Sequence, residues 1–346
     1  LTVTSASKKL AALDPVDIVV EHDLSFARAV RALELEKLRI VVKSQQRELI
    51  TVNLDQPTRI VVEGAAQGGT AQISVKTDRL NLAMLKPLLP PDLPLQLNGG
   101  SLSNAFDINI RDNGQWIGVR GDISLDDLDL QSGENSRVTK VRLQESVKLE
   151  LKGFQDLEIV YLQTQLWRAS APILSAMLTG SMNVKTRVGT FDLKELNCDP
   201  APLQDLPLRF GDFAIDDFDV ANTRLSYHGT IDITENIGAI SARGALSVTD
   251  FSLDAPKLSI KRLRPLAIRV EHSGAFTPTA NAIGLKELTI QIQDQGRDIL
   301  RLALRKAAII RVADGVSADD PIRVSIVIPG VDIGLAVPYI PANVGV

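Results

Sequence analysis

The sequence predicts a mainly β fold: an elongated, strongly curled antiparallel sheet built from repeated strand modules. Three observations carry that expectation. Apolar residues make up 45% of the chain but aromatics only 4%, so its greasy character is mostly Val, Ile, Leu and Ala, which suit a pleated surface. The phrase IVVEHDLSF (18–26) returns as IRVEHSGAF (268–276). A ten-residue pattern, seen in GDISLDDLDL (121–130), recurs along the chain.

The repeated phrase belongs to a longer duplication. At an offset of 250 positions Pro15 falls on Pro265, Phe26 on Phe276, Leu38 on Leu288, Arg47 on Arg297 and Val62 on Val312. After a small insertion LNLAMLKPLLP (80–90) aligns with IGLAVPYIP (333–341). Self-similarity at this scale points to a repeat architecture. The expected organisation is a first unit at 1–92, central modules at 93–264 and a second copy of the first unit at 265–346.

The ten-residue pattern starts with Gly and has apolar residues at places three, five, eight and ten. With an acid at the seventh place, GTFDLKELNC (189–198), GDFAIDDFDV (211–220) and GALSVTDFSL (244–253) fit it; NAIGLKELTI (281–290) fits with Asn for Gly, and RALELEKLRI (31–40) with a basic residue at the seventh place. Side chains alternate along a strand, so places three and five share a face, as do eight and ten. The three-residue step between them breaks the phase. A bulge there restores both pairs to one face, with the charged residue at an exposed kink.

Element by element, Pro15, Pro94, Pro207, Pro265 and Pro321 precede apolar-x-apolar runs and mark strand starts, because proline cannot donate to a ladder. FDINIRDNGQWIGVRG (106–121) reads as a hairpin turning at Asn113-Gly114. Ile110 then pairs with Ile117 and Ile108 with Val119, leaving Asp107, Asn109, Arg111, Trp116 and Arg120 on the other face. Helix is sparse: 80–89 is the best candidate, with a shorter counterpart near 333–340. The stretch 155–180 fits either long strands or a broken helix.

Much chemistry is missing. The charge is −4 with both signs scattered, and the densest basic stretch is only Lys261, Arg262 and Arg264, which argues against nucleic acid. One cysteine, Cys198, excludes an intrachain disulfide framework. The three histidines, His22, His228 and His272, have no metal-ligand spacing. His22 and His272 read as half-buried structural residues repeated with their unit. Phosphate-loop, dinucleotide and serine-elbow motifs are absent. Asp126–Asp127 and Asp216–Asp217 sit at motif kinks, as solvated turn carboxylates. The expectation is a non-enzyme without cofactor or metal. The longest uncharged run, 169–184, falls short of the ~20 residues of a spanning helix.

The recurring GDISLDDLDL and GALSVTDFSL strands, with LNLAMLKPLLPPDLPLQLNGGSL (80–102), resemble the AsmA-like/TamB-type proteins of the Gram-negative envelope. The resemblance is one of pattern over most of the chain. It implies an open, taco-shaped β-groove with short crossover helices, related to bridge-like lipid transfer proteins. It further implies a periplasmic protein, anchored to the inner membrane by a segment outside this chain, that passes phospholipid between membranes. A partner protein of the outer membrane fits the same picture.

The residues point the same way, since a sheet apolar on one face needs a second layer or a ligand over it. The expected groove lining is Ile108, Ile110, Ile117, Val119, Ile123, Leu125, Phe213, Ile215, Leu246 and Val248. The alternative is a structural or scaffold β-repeat protein of the envelope with a filled core.

Overall fold

The structure is a computed structural model. It describes residues 16–27, 32–44, 46–61, 69–88, 96–132, 136–204, 209–210, 213–214, 218–253, 265–311, 317–318 and 321–329. Two compact units divide the chain. The first comprises Leu1–Ala171 with Thr179–Lys185, the second Pro172–Leu178 with Thr186–Val346.

The fold is mainly β. One long antiparallel sheet, which does not close, holds nearly all the described strands. In the first unit these are β1 (Val16–Ala27), β2 (Ala32–Ser44), β3 (Arg47–Leu54), β4 (Thr58–Val61), β5 (Ala71–Asn81), β6 (Gln96–Arg111), β7 (Trp116–Ser132), β8 (Ser136–Lys152) and β9 (Asp156–Arg168). Strand β10 (Ala171–Asn183) has residues in both units. The second unit carries β11 (Val188–Cys198), β12 (Arg209–Phe210), β13 (Phe213–Ala214), β14 (Phe218–Asp219), β15 (Arg224–Ile233) and β16 (Ile240–Leu253). It continues with β17 (Leu266–Thr277), β18 (Ala282–Asp294), β19 (Arg297–Leu304), β20 (Ala308–Arg311), β21 (Ser317–Ala318) and β22 (Val324–Val327). Strands β12 and β13 pair only as a small separate hairpin. The ambiguous stretch 155–180 is extended, as β9 and β10.

The duplication is visible strand by strand. Strands β1 to β4 recur as β17 to β20 with bounds displaced by 250 positions, register included. Val42 faces Ile50 as Ile292 faces Leu300, and Leu35 faces Thr58 as Leu285 faces Ala308. The counterpart of 80–89, near 333–340, lies outside the described residues.

The kinks fall where the spacing demands them. Leu125 and Leu128, places five and eight of the motif in β7, face Leu143 and Val141, two residues apart on β8. Both therefore point to one side of the sheet, with the register shifting between them. The same holds for Leu193 and Leu196 opposite Gly229 and Tyr227, and for Val248 and Phe251 opposite Ile268 and Leu266. Leu35 and Leu38 straddle a shift opposite Leu24 and His22. The seventh-place acids Asp127 and Asp250 take φ of 52° and 54° and are exposed, a left-handed conformation that Asp tolerates better than branched residues. Half of the 211–220 copy, its seventh place included, lies outside the described residues.

The 106–121 hairpin has the expected register, Ile108 with Val119 and Ile110 with Ile117. The strands close at Arg111 and Trp116, so the turn spans four residues rather than the expected two, with Asp112, Asn113 and Gly114 at positive φ of 52°, 54° and 90°. The 80–89 segment is a short 3-10 helix, Leu82–Leu88, not an α-helix. Its Leu82 packs with Leu128 and Val141 into a small core that Leu102 and Leu125 flank. None of the described helices is long and apolar enough to cross a membrane.

Candidate functional site

Alternation along each strand and register between strands sort the side chains of each unit onto two faces. In the first unit Leu54, Ile73, Ile108, Val119, Leu149 and Ile159 form one unbroken row across six strands. Beside it run Ala71, Ile110, Ile117, Leu151 and Leu157. Four of the expected lining residues, Ile108, Ile110, Ile117 and Val119, are thus brought together on one face. They are half-buried. No residue of β9 is buried, Ile159 and Leu162 included. Lateral neighbours within the sheet cover these side chains in part, and a packed second layer would bury them fully.

Two expectations are modified. Leu125 lies in an all-leucine row with Leu80, Leu102, Leu143 and Leu166, and there it belongs to the small core beneath Leu82. Ile123 is on the apolar face but sits in a polar rung, between Asn104 and Glu145, with Thr77 and Thr164 beyond. Asn104 donates through Nδ2 to Thr77 Oγ1 at 3.0 Å, while its buried Oδ1 accepts nothing. Sequence reasoning missed this rung. Its signal was present, because Glu145 occupies an inward place in the alternation Val141, Leu143, Glu145, Val147, Leu149.

In the second unit Leu246 and Val248 lie on the apolar face. Val248 is in the row Leu225, Val248, Ile268, Ile292, Leu300. Leu246 is in the row Tyr227, Leu246, Val270, Ile290, Leu302, Ile326. Phe213 starts the short β13, with its side chain outside the described set, and Ile215 lies outside the described residues altogether.

His272 is half-buried on this face, as expected. Its Nε2 is hydrogen-bonded to the Tyr227 hydroxyl at 3.1 Å, and the two rings stack at 5.8 Å. The tyrosine crosses β16 because Gly229 and Gly244 leave room. A Cβ at either would stand 2.7 Å or 2.4 Å from its hydroxyl oxygen. Burial pushes the Tyr227 phenol above its ordinary pKa, so it stays protonated at neutral pH. His22 departs from the expectation: it is exposed, since β1 has no described strand in the position that β16 takes beside β17.

The opposite face is polar. Arg111 lies over the Trp116 ring at 4.5 Å and Arg142 over Trp167 at 5.4 Å. Two concavities open on this face, one in each unit. A volume of about 480 Å³ is bordered by Asp122, Ser146 and Gln163, and one of about 910 Å³ by Asp192, Arg243, Glu271 and Glu287. Neither is apolar. Among the described residues no group of three or more His, Cys, Asp or Glu is arranged to hold a metal ion. Burial raises the Cys198 thiol above its ordinary range, with Asp199 adding to the effect, which disfavours the nucleophilic thiolate.

No protein-family model, curated protein or solved structure matches this chain.

Proposed function

We propose that this chain is a non-enzymatic lipid-binding β-sheet whose apolar face holds acyl chains. In this reading it shuttles or conducts phospholipid between membranes of a Gram-negative envelope, as its pattern resemblance to AsmA-like/TamB-type proteins implies. One observation carries the reading. Aliphatic rows run across strand after strand within a unit and are only half-buried, as in Leu54–Ile73–Ile108–Val119–Leu149–Ile159. Such a face lacks the burial of a protein core, and an acyl chain supplies the missing contacts at about 0.8 kcal/mol per CH₂. Curling of the sheet by its bulges would deepen the face into a groove. Head groups need no specific site, since they stay at the edge in water.

The polar rung favours a second reading. A carboxylate, Glu145, in line with Asn104 and Thr164 interrupts the path along which tails would slide, as a scaffold contacting protein partners would tolerate. Native mass spectrometry of the protein purified from membranes separates the two. Several phospholipids per chain, lost in a folded Ile108→Asp/Ile117→Asp variant, support lipid carriage. A mass free of lipid, with no uptake of a fluorescent phospholipid, leaves the scaffold reading.

A further inference from the structure

Strand β17, the copy of β1, is an interior strand with β16 on one side and β18 on the other. Strand β1 has β2 in the place of β18. Among the described residues no strand takes the place of β16. Ile18, near its start, has a partner of its own; among the described residues none pairs with this side of β1 beyond it. The same side chains show what the missing neighbour does. Phe276 is half-buried while its copy Phe26 is 54% exposed, and Val270 is half-buried while Val20 is 51% exposed. Leu24 is also 51% exposed. A long edge strand with large exposed apolar side chains invites pairing, and stable proteins usually blunt or cover it.

We propose that the outer edge of β1, from Val20 to Phe26, takes up an antiparallel strand of the β16 kind from a partner polypeptide. The pairing of β16 with β17 states the recognition rules. Gly244 faces His272, Leu246 faces Val270, Ala242 faces Gly274 and Ile240 faces Phe276. Moved to β1, this places a small residue opposite Leu24 and aliphatic residues opposite Val20 and Phe26, while the glycine at 244 serves the passage of Tyr227 from β15. Arg243 faces Ser273, and the first copy has Asp23 at that position. A basic residue there gains a cross-strand ion pair. Among the described residues the edge strands β1 and β22 carry no Lys or Arg to set opposite Asp23, so a second copy does not meet these rules through them.

The test uses the full chain and a synthetic peptide with the sequence of residues 240–249. The peptide is expected to bind saturably and to slow amide exchange between Val20 and Phe26. Asp23→Lys weakens binding about two- to fivefold, and a peptide with Glu in place of Arg243 recovers the loss. Absence of saturable binding overturns the proposal. So does binding that Asp23→Lys leaves unchanged, or β1 amides already protected without peptide, which would mean that the edge is covered. Association of two copies through β1, seen by cross-linking from position 26, also overturns it.

Discussion

The hydroxyl of Tyr227 reaches Nε2 of His272, 3.1 Å away and two strands across the sheet, by passing over the backbone of Gly244. Tyr227→Phe leaves the half-buried imidazole nitrogen without its partner, at a cost of about 1 kcal/mol. Gly244→Val forces the ring off its path and costs about 1–3 kcal/mol. The two substitutions together cost less than their sum, because each removes the same contact. Urea unfolding of the four proteins in the cycle measures this; strict additivity would mean that the pair is not coupled.

The bulges make a second prediction. Asp127 and Asp250 hold positive φ at the seventh place of the motif. Asp127→Gly is expected to be neutral or stabilising, whereas Asp127→Val destabilises by about 1–2 kcal/mol. The shift in urea midpoint gives the ranking, and equal midpoints for the two variants would contradict it.

Much of this was legible beforehand because it depends on local rules. The 2-residue alternation and the three-residue step fix which leucines share a face, and the strands obey at Leu125/Leu128 and Val248/Phe251. Ile108 and Val119 were legible from turn chemistry alone. The Tyr227–His272 pair was not, since it joins residues from strands that are not neighbours and depends on glycines with no side chain to betray their role. The exposure of His22 was illegible for a related reason. Its sequence surroundings match those of His272, and the difference lies in which strand stands beside each. The packing of Leu125 against the small core at Leu82 was illegible too, because a helix over the sheet and not the strand pattern supplies that contact.

Acid should weaken the fold through a few depressed carboxyls. Gln293 and Gln291 donate to Asp298, each at 2.8 Å, and hold it below its ordinary pKa. A hydrogen bond from Arg137 does this for Asp129, and one from Lys37 for Glu21. A carboxyl whose folded pKa is lowered contributes stability that is complete above its unfolded value, about 4, and is lost as pH falls through the folded value. Asp298→Asn therefore loses less stability than the parent between pH 5 and pH 3, taken as about one unit either side of that value. An unchanged acid transition would show that these bonds do not persist in solution.

Removing the carboxylate from the apolar face should improve it as a lipid surface. Glu145→Leu joins Leu143 to Val147 as a continuous aliphatic stripe on β8 and is expected to raise the phospholipid retained per chain. Thin-layer or mass-spectrometric counting of extracted lipid checks this, and a fall in retained lipid would assign Glu145 a role in binding.

The most direct test of the central claim compares two adjacent residues of β7. Val119 lies on the apolar face, in the row of Ile108 and Leu149, and Arg120 on the polar one, opposite Asp107 and Lys148. A photoreactive benzophenone side chain placed at each position, and activated with membranes present, reports what that face touches. Phospholipid adducts are expected at position 119 and few or none at 120. Equal labelling at both positions, or protein adducts alone at 119, would contradict an apolar face that carries acyl chains.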